Sequence, residues 1–209
     1  MSSNTTFSVV VLAAGQSQRM GQEKFALEFA GGISFLDHII AEYKKLGCRS
    51  VVVVVNPKGK IDLESITKRW PAEVLVTVNP NPEHGRFLSI KTGLKHLQED
   101  DFVFIQNVDS PSISIEVLSA LLNEIGNAEY THPDYRGKGG HPVLLTKKVV
   151  HAILLKKSDN MVLKDFLVKF RKVHTEVDDE RVLTNINTLD EYKRWKQLSN
   201  NPSDRFKSV

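Results

Sequence analysis

A single cysteine, Cys48, stands among 209 residues, so no intramolecular disulfide can form and a small disulfide-stapled secreted fold is excluded. Following Gly47, this thiol reads as a small apolar or surface filler. An excess of one charge is also missing. The 28 Lys and Arg against 25 Asp and Glu give a net charge of +3, with the signs interspersed. That is not the concentrated basic stripe of a nucleic-acid binder, so no nucleic-acid partner is expected. Membrane-length apolar runs are lacking as well. Met1 to Thr6 carries no basic residue, and the apolar run from Phe7 to Ala14 stops at Gly15 without a cleavage pattern. This excludes a signal peptide or a membrane span there, so the expectation is a cytoplasmic protein with no membrane partner. Neither standard phosphate-binding loop is present. Gly15 and Gly21 lie too far apart for a Walker A loop, and no G-x-G-x-x-G occurs, which disfavours a dinucleotide-dependent oxidoreductase.

What is present is alternation. Phe7 to Ala13 is a short, β-branched, continuously apolar run of the kind buried on both faces of a sheet, and Val51 to Val55 is five valines in succession. Further strands are expected over Glu73–Val78, Phe102–Asn107, Ala128–Thr131, Pro142–Leu145 and Val173–Val177. Helices are expected over Phe35–Leu46, capped by Ser34 and closed by Gly47, and over Ile61–Trp70 and Leu88–Leu97. Others follow over Ile115–Ile125 after Ser114, Lys147–Leu155, Val162–Phe170 and Leu189–Leu198. Strands separated by helices imply right-handed crossovers, hence an α/β fold with a mostly parallel sheet and helices on both faces, three layers in all. No repeat, low-complexity block or linker divides the chain. One domain over 1–198 is expected, with a polar tail over 199–209 that frays.

In such sheets ligands bind beyond the carboxyl ends of the strands. After the first strand comes Leu12-Ala13-Ala14-Gly15-Gln16-Ser17-Gln18-Arg19-Met20-Gly21-Gln22-Glu23-Lys24. Small residues admit a ligand close to the backbone, and Gly15 permits dihedrals that other residues avoid. Exposed N–H groups make an anion site there. Arg19 can fork two phosphate oxygens and Lys24 adds a mobile point charge. The plainer alternative is a connecting loop with both cations in solvent. Asp109, directly after the fourth strand, is placed as a Mg²⁺ ligand; as an N-cap it competes with Ser114.

The pattern L-A-A-G-x-S-x-R-M-G-x-x-K over Leu12 to Lys24 resembles the signature of the MobA/MocA-like nucleotidyltransferases, which make the dinucleotide forms of the molybdenum cofactor. The resemblance runs from Val9 to about Tyr192. It implies a Rossmann-like nucleotidyltransferase fold whose loop, from Leu12, Ala13, Ala14 and Gly15, wraps base and triphosphate, with Arg19 and Lys24 on the phosphates. Asn79, Gly85 and Ser89 match N-x-x-x-x-x-G-x-x-x-S, which lines base and ribose; for Ser89 an ordinary cap or buried hydroxyl is the alternative. Asp109 opens the family's D-x-P triplet, with Ser110 a departure. Gly140 and His141 fall in G-x-x-G-H-P, near the acceptor phosphate. Gly137, Gly139 and Gly140, with the cations Arg136 and Lys138, suggest a flexible basic loop, and His141 either donates to a phosphate or pterin carbonyl or holds the turn. Asn185 and Asn187 resemble N-x-N-T-P-E-D, where an oxygen reaches the metal; Leu189 replaces the usual Pro, and both asparagines also suit a turn. The stretch Lys157–Leu163 departs from the molybdopterin-type pattern.

The resemblance therefore implies a Mg²⁺-dependent enzyme that moves a nucleotidyl group from a nucleotide triphosphate to a phosphorylated small-molecule acceptor, releasing pyrophosphate. Ala14 favours CTP, because the cytidylyl branch tends to L-A-A-G and the guanylyl branch to L-A-G-G. Molybdopterin is the expected acceptor, with a sugar or alditol phosphate as the alternative and a molybdoenzyme or its chaperone as a protein partner. A non-catalytic nucleotide-binding accessory protein is the remaining alternative.

Overall fold

The computed structural model describes residues 5–15, 20, 23–29, 31–63, 70–97 and 99–199. Four parallel strands form its base: β1 (Phe7–Ala13), β2 (Val51–Val55), β3 (Val74–Val78) and β4 (Phe102–Asn107). Their spatial order is β3-β2-β1-β4. Beyond β4 the sheet continues through β7 (Val143–Thr146), β5 (Tyr130–Tyr135) and β6 (Lys138–Gly139), with β8 (Lys172–Glu176) parallel beside β5. The strand β7 runs antiparallel to both β4 and β5, so the sheet is mixed but mostly parallel.

Successive residues of β1 point to opposite faces, and both faces are covered, which is why the strand is apolar without alternation. Val9 and Val11 pack with Phe35 and Ile39 of α1 (Phe35–Lys45) and with Leu118 and Leu121 of α4 (Ile115–Glu124). Val10 and Leu12 join Ile90 and Leu94 of α3 (Arg86–Leu94) and Ile153 of α5 (Lys147–Leu155) on the other face. Three layers result. Caps set the helix starts as the sequence implies: the Ser34 hydroxyl accepts from Asp37 N at 3.0 Å, and that of Ser114 from Val117 N at 3.4 Å. Ser114, and not Asp109, therefore caps α4.

Chain order creates the functional edge. From β1 the chain steps outward to β2 and β3, then α3 carries it back to β4 on the opposite side of β1. The carboxyl ends of β1 and β4 thus flank a topological switch point, where open α/β sheets bind ligands.

Six expectations change. The strand sought over Ala128–Thr131 is displaced to β5, and the helix sought over Val162–Phe170 shortens to α6 (Leu163–Leu167). The helix sought over Ile61–Trp70 begins earlier, as α2 (Pro57–Leu63), because the Asn56 side chain accepts from Gly59 N at 2.7 Å and Pro57 suits the first helical position; residues 64–69 lie outside the described ones. The helix sought over Leu88–Leu97 starts at Arg86, with Gly85 at φ 93° before it. The glycine-rich stretch after Tyr135 is no flexible loop but a tight hairpin between β5 and β6, turning on Arg136 (φ 51°) and Gly137 (φ 80°). Gly15 stays outside the left-handed region, so its freedom there is not used. The expected frayed tail, from 200 onward, also lies outside the described residues.

One packing constraint fixes how α3 meets the sheet. A Cβ on Gly93 would fall 2.4 Å from Val10 Cγ1 and 2.9 Å from Val54 Cγ2, both on strands that cannot retreat. Gly93→Ala is predicted to destabilise the fold by about 1–3 kcal/mol through overpacking. Urea denaturation checks it; an unchanged midpoint would mean that α3 has room to shift.

Candidate active site

At the switch point lies a small cleft of about 130 Å³. Leu12, Ala13, Ala14 and Gly15 form one rim, Gly85 and Ser89 another, and Lys24 and Asp109 close the end. Residues scattered over the chain meet here because β1 and β4 are in register, Leu12 opposite Asn107. The Asn56 amide donates to Gly15 O at 3.3 Å and holds that rim in place.

Asp109 organises the polar end. Its Oδ2 accepts from Lys24 Nζ at 3.1 Å, and the same ammonium donates to Asn187 Oδ1 at 2.7 Å. Among the described residues, Asp109 Oδ1 is buried with no hydrogen-bond partner. A carboxylate oxygen left unpaired in such a position is strongly disfavoured unless a cation or donor arrives. Behind it, the buried Gln106 amide donates to Asn107 O and Ser110 O, both at 2.8 Å, and its own oxygen accepts from Tyr43 at 3.2 Å. Gln106 thereby fixes the turn that presents Asp109.

Asn185 and Asn187 have different partners. Ser110 Oγ donates to Asn185 Oδ1 at 2.8 Å, so the serine that departs from the family triplet ties Asn185 to the turn. Asn187 is the one that shares a cation with Asp109. Its backbone is anchored through Glu191, whose carboxylate accepts from Asn187 N at 2.7 Å and Thr188 N at 3.0 Å, while Glu191 N donates to Thr188 Oγ1 at 3.2 Å. That reciprocal T-x-x-E capping box starts α7 (Leu189–Ser199) without the missing proline.

Asn79 is fully buried behind the cleft and does not line it. Its amide donates to Ser89 Oγ at 2.9 Å and its oxygen accepts from Asn81 N at 3.0 Å, so it orients Ser89 and the turn before α3. Arg19 lies outside the described residues. Cys48 is the filler expected: its thiol is buried, donates to Ser50 O at 3.2 Å, and burial pushes its pKa up to about 12. His84 ends the short 3-10 helix Pro82–His84, exposed beside Glu83.

A second, larger cavity of about 1110 Å³ adjoins the first, on the far side of Gly85, Arg86 and Asn107, which line both. Gly140 and His141 belong to this larger cavity rather than to the small cleft. His132, Asp134 and His174 line its sheet side, with His174 Nδ1 3.6 Å from Asp134 Oδ2. Met161, Val162 and Val168 line it too, and Val162 and Val168 are exposed. Gly140 is required by packing, since a Cβ would meet Val182 O at 2.5 Å. Sequence reasoning gave no role to Arg86, Asn107 or Gln106. A polar pair ending an otherwise apolar strand, Gln106-Asn107, was the available signal.

A phosphate-sized cleft at the switch point of a Rossmann-like sheet, closed by a lysine and a carboxylate, defines a nucleotide-handling α/β protein. The chain belongs to the MobA-like NTP transferase family, whose model matches residues 9–173, and it is a nucleotidyltransferase. It is 25% identical over 191 residues to the molybdenum cofactor cytidylyltransferase of Escherichia coli (strain K12), covering 90% of this chain and 94% of that one. It is 28% identical over 204 residues to a probable molybdenum cofactor guanylyltransferase of Bacillus thuringiensis (strain Al Hakam), covering 93% and 98%. The fold is shared with the Rv0371C protein of Mycobacterium tuberculosis H37Rv, solved in complex with manganese, at a TM-score of 0.71 and 17% identity, covering 92% and 98%. Among the described residues no helix is long and apolar enough to cross a membrane.

His141 gives this site a pH signature. Burial first, and then the Arg86 charge, lower its pKa from the ordinary 6.5. A neutral ring agrees with the Asn107 amide, which can only donate, lying 3.2 Å from His141 Nε2. Because the folded state disfavours the imidazolium, the contribution is complete above the unfolded value and is lost as pH falls below it. His38 and His132, also lowered by burial, act with the same sign. His141→Gln is predicted to flatten, without abolishing, the loss of stability between about pH 6.5 and 5. Urea midpoints across that window test it; an unchanged slope contradicts the assignment.

Proposed function

We propose that this nucleotidyltransferase passes the cytidylyl group of CTP to the phosphate of molybdopterin and releases pyrophosphate. The observation that carries it is the meeting of two cavities. A narrow cleft holding Lys24 and Asp109 opens beside a chamber large enough for a tricyclic acceptor, and the two share Gly85, Arg86 and Asn107. Such a pair suits a donor triphosphate and an acceptor brought phosphate to phosphate. The chamber is roomier than an alditol phosphate needs, which favours the larger acceptor. Ala14 on the rim of the narrow cleft, in L-A-A-G, and the similarity to a cytidylyltransferase support CTP over GTP.

The residues present fit a divalent cation. Among the described residues no three His, Cys, Asp or Glu side chains cluster as metal ligands. Asp109, with its unpartnered Oδ1, and Asn187 instead offer an oxygen-only set that phosphate oxygens can complete, as Mg²⁺ prefers. The manganese bound by the M. tuberculosis protein of the same fold supports this. When bound, the ion neutralises phosphate oxygens and so eases attack at the α-phosphorus. The protein's own part is positioning and charge. Ala13, Ala14 and Gly15 let the nucleotide approach the backbone, and Ser89 is held by Asn79 for the ribose side. Lys24 offsets the charge that develops on the departing pyrophosphate, and the family signature assigns Arg19 to the phosphates as well. An acceptor phosphate oxygen then attacks the α-phosphorus in line as the bond to the β-phosphate breaks.

Pyrophosphate release with Mg²⁺ tests the proposal, with CTP, GTP, ATP and UTP each offered against molybdopterin and against sugar and alditol phosphates. Release that requires CTP and molybdopterin together is expected. Release with another acceptor would keep the chemistry and replace the substrate, and binding of nucleotide without any turnover would contradict the proposal. Asp109→Ala is expected to fold normally and to lose turnover; a near-wild-type rate would remove Asp109 from the metal site.

A further inference from the structure

Arg86 is the first residue of α3 and lies where the two cavities meet. Its side chain is exposed, and among the described residues it has no hydrogen bond and no ion pair. Among the described cations that line the narrow cleft, this sets it apart from Lys24. Lys24 is engaged with Asp109 and Asn187, and Lys91 with Asp159 Oδ1 at 2.5 Å and Lys156 O at 2.7 Å. A guanidinium offers a rigid fork of donors matched to phosphate oxygens. Here that fork is uncommitted, and its charge is felt by His141.

Asn107 stands at the same junction. It is only 5% exposed, lines both cavities, and meets the His141 ring through its amide nitrogen. A buried amide facing an open junction is a group with hydrogen-bonding capacity left for a ligand. On the narrow side of the junction lies the cleft with Lys24 and Asp109, and on the wide side the chamber of His132, Asp134 and Met161.

We propose that Arg86, with Asn107, seats the phosphate of the acceptor at the junction, so that the wide chamber takes the acceptor's body and the narrow cleft the nucleotide. The proposal rests on the two-cavity reading of the reaction and adds to it a selection rule. Acceptors must be phosphomonoesters, because the seat supplies a full guanidinium charge at the one place where both substrates' phosphates converge. An unphosphorylated alcohol of the same shape would leave Arg86 facing the triphosphate alone.

Calorimetric titration of inorganic phosphate into the protein, first saturated with Mg²⁺ and a non-hydrolysable CTP analogue, isolates this seat from the nucleotide's own phosphate sites. Wild type is expected to bind phosphate in that state. Arg86→Gln is expected to weaken phosphate by about tenfold or more, the loss of a charge-assisted hydrogen bond, and to leave the affinity for the CTP analogue within about twofold. Arg86→Lys should recover part of the phosphate affinity, since it keeps the charge but not the fork. Two results would overturn the proposal: no phosphate binding to the loaded wild type, or Arg86→Gln weakening the nucleotide while phosphate is unaffected. Arg86-dependent phosphate binding by a protein that transfers to none of the tested acceptors would support the seat while removing the molybdopterin assignment.

Discussion

The pairing of β1 with β4 is the constraint from which the site follows. Leu12 sits opposite Asn107, and the ladder runs on past the strand ends, with Val108 N donating to Leu12 O at 3.2 Å. A one-residue slip would reverse the faces of β1 and drive Val9 and Val11 out of their core. Both faces of β1 are closely packed, Val10 against Gly93 on one side and Val9 and Val11 against α1 and α4 on the other, so a slip would misfit both layers and the register is held by packing. The small-residue rim after β1 and the Asp109 turn after β4 are therefore brought side by side by the core itself.

On that frame the polar groups are arranged in depth. Gln106 and Tyr43 brace the Asp109 turn from below, Ser110 and Asn185 clasp it from the side, and the capping box of Thr188 and Glu191 sets the course of Asn187. Lys24 then serves as counter-ion to a carboxylate whose side chain is 12% exposed. A partly buried carboxylate of this kind needs a partner in the absence of ligand. The arrangement gives it one that a triphosphate can compete for, while Oδ1 stays open. The positions of these groups are thus fixed by packing and hydrogen bonds before a ligand arrives, as electrostatic preorganisation requires.

The sequence made some of this plain and hid the rest for physical reasons. Buried parallel strands such as Val51–Val55 and Phe102–Asn107 are legible because two covered faces demand an unbroken apolar run. The caps at Ser34 and Ser114 are legible because they are local. Asp109 stood out because a carboxylate directly after such a strand has few other uses. Asn79 was misplaced as a lining residue because its motif spacing says that it is near Ser89, not which of the two faces the ligand. The glycine-rich stretch after Tyr135 resembled a mobile loop because composition does not distinguish an Arg-Gly hairpin turn from a floppy segment, and its pairing partner is the strand just before it. Arg86 and Asn107 carry no local signal because their meaning is spatial: only the juxtaposition of two cavities gives them a common place.

The proposed mechanism requires nucleotide and divalent cation to meet at the ends of β1 and β4, beside Asp109 and Asn187. Paramagnetic broadening by Mn²⁺ in the presence of CTP tests it most directly, read on backbone amide resonances of the labelled protein. Broadening is expected to centre on Ala14, Gly15, Asp109 and Asn187, and to be lost in Asp109→Ala although the resonances of the β2 and β3 strands stay in place. Broadening centred elsewhere, or unchanged without the Asp109 carboxylate, would contradict it.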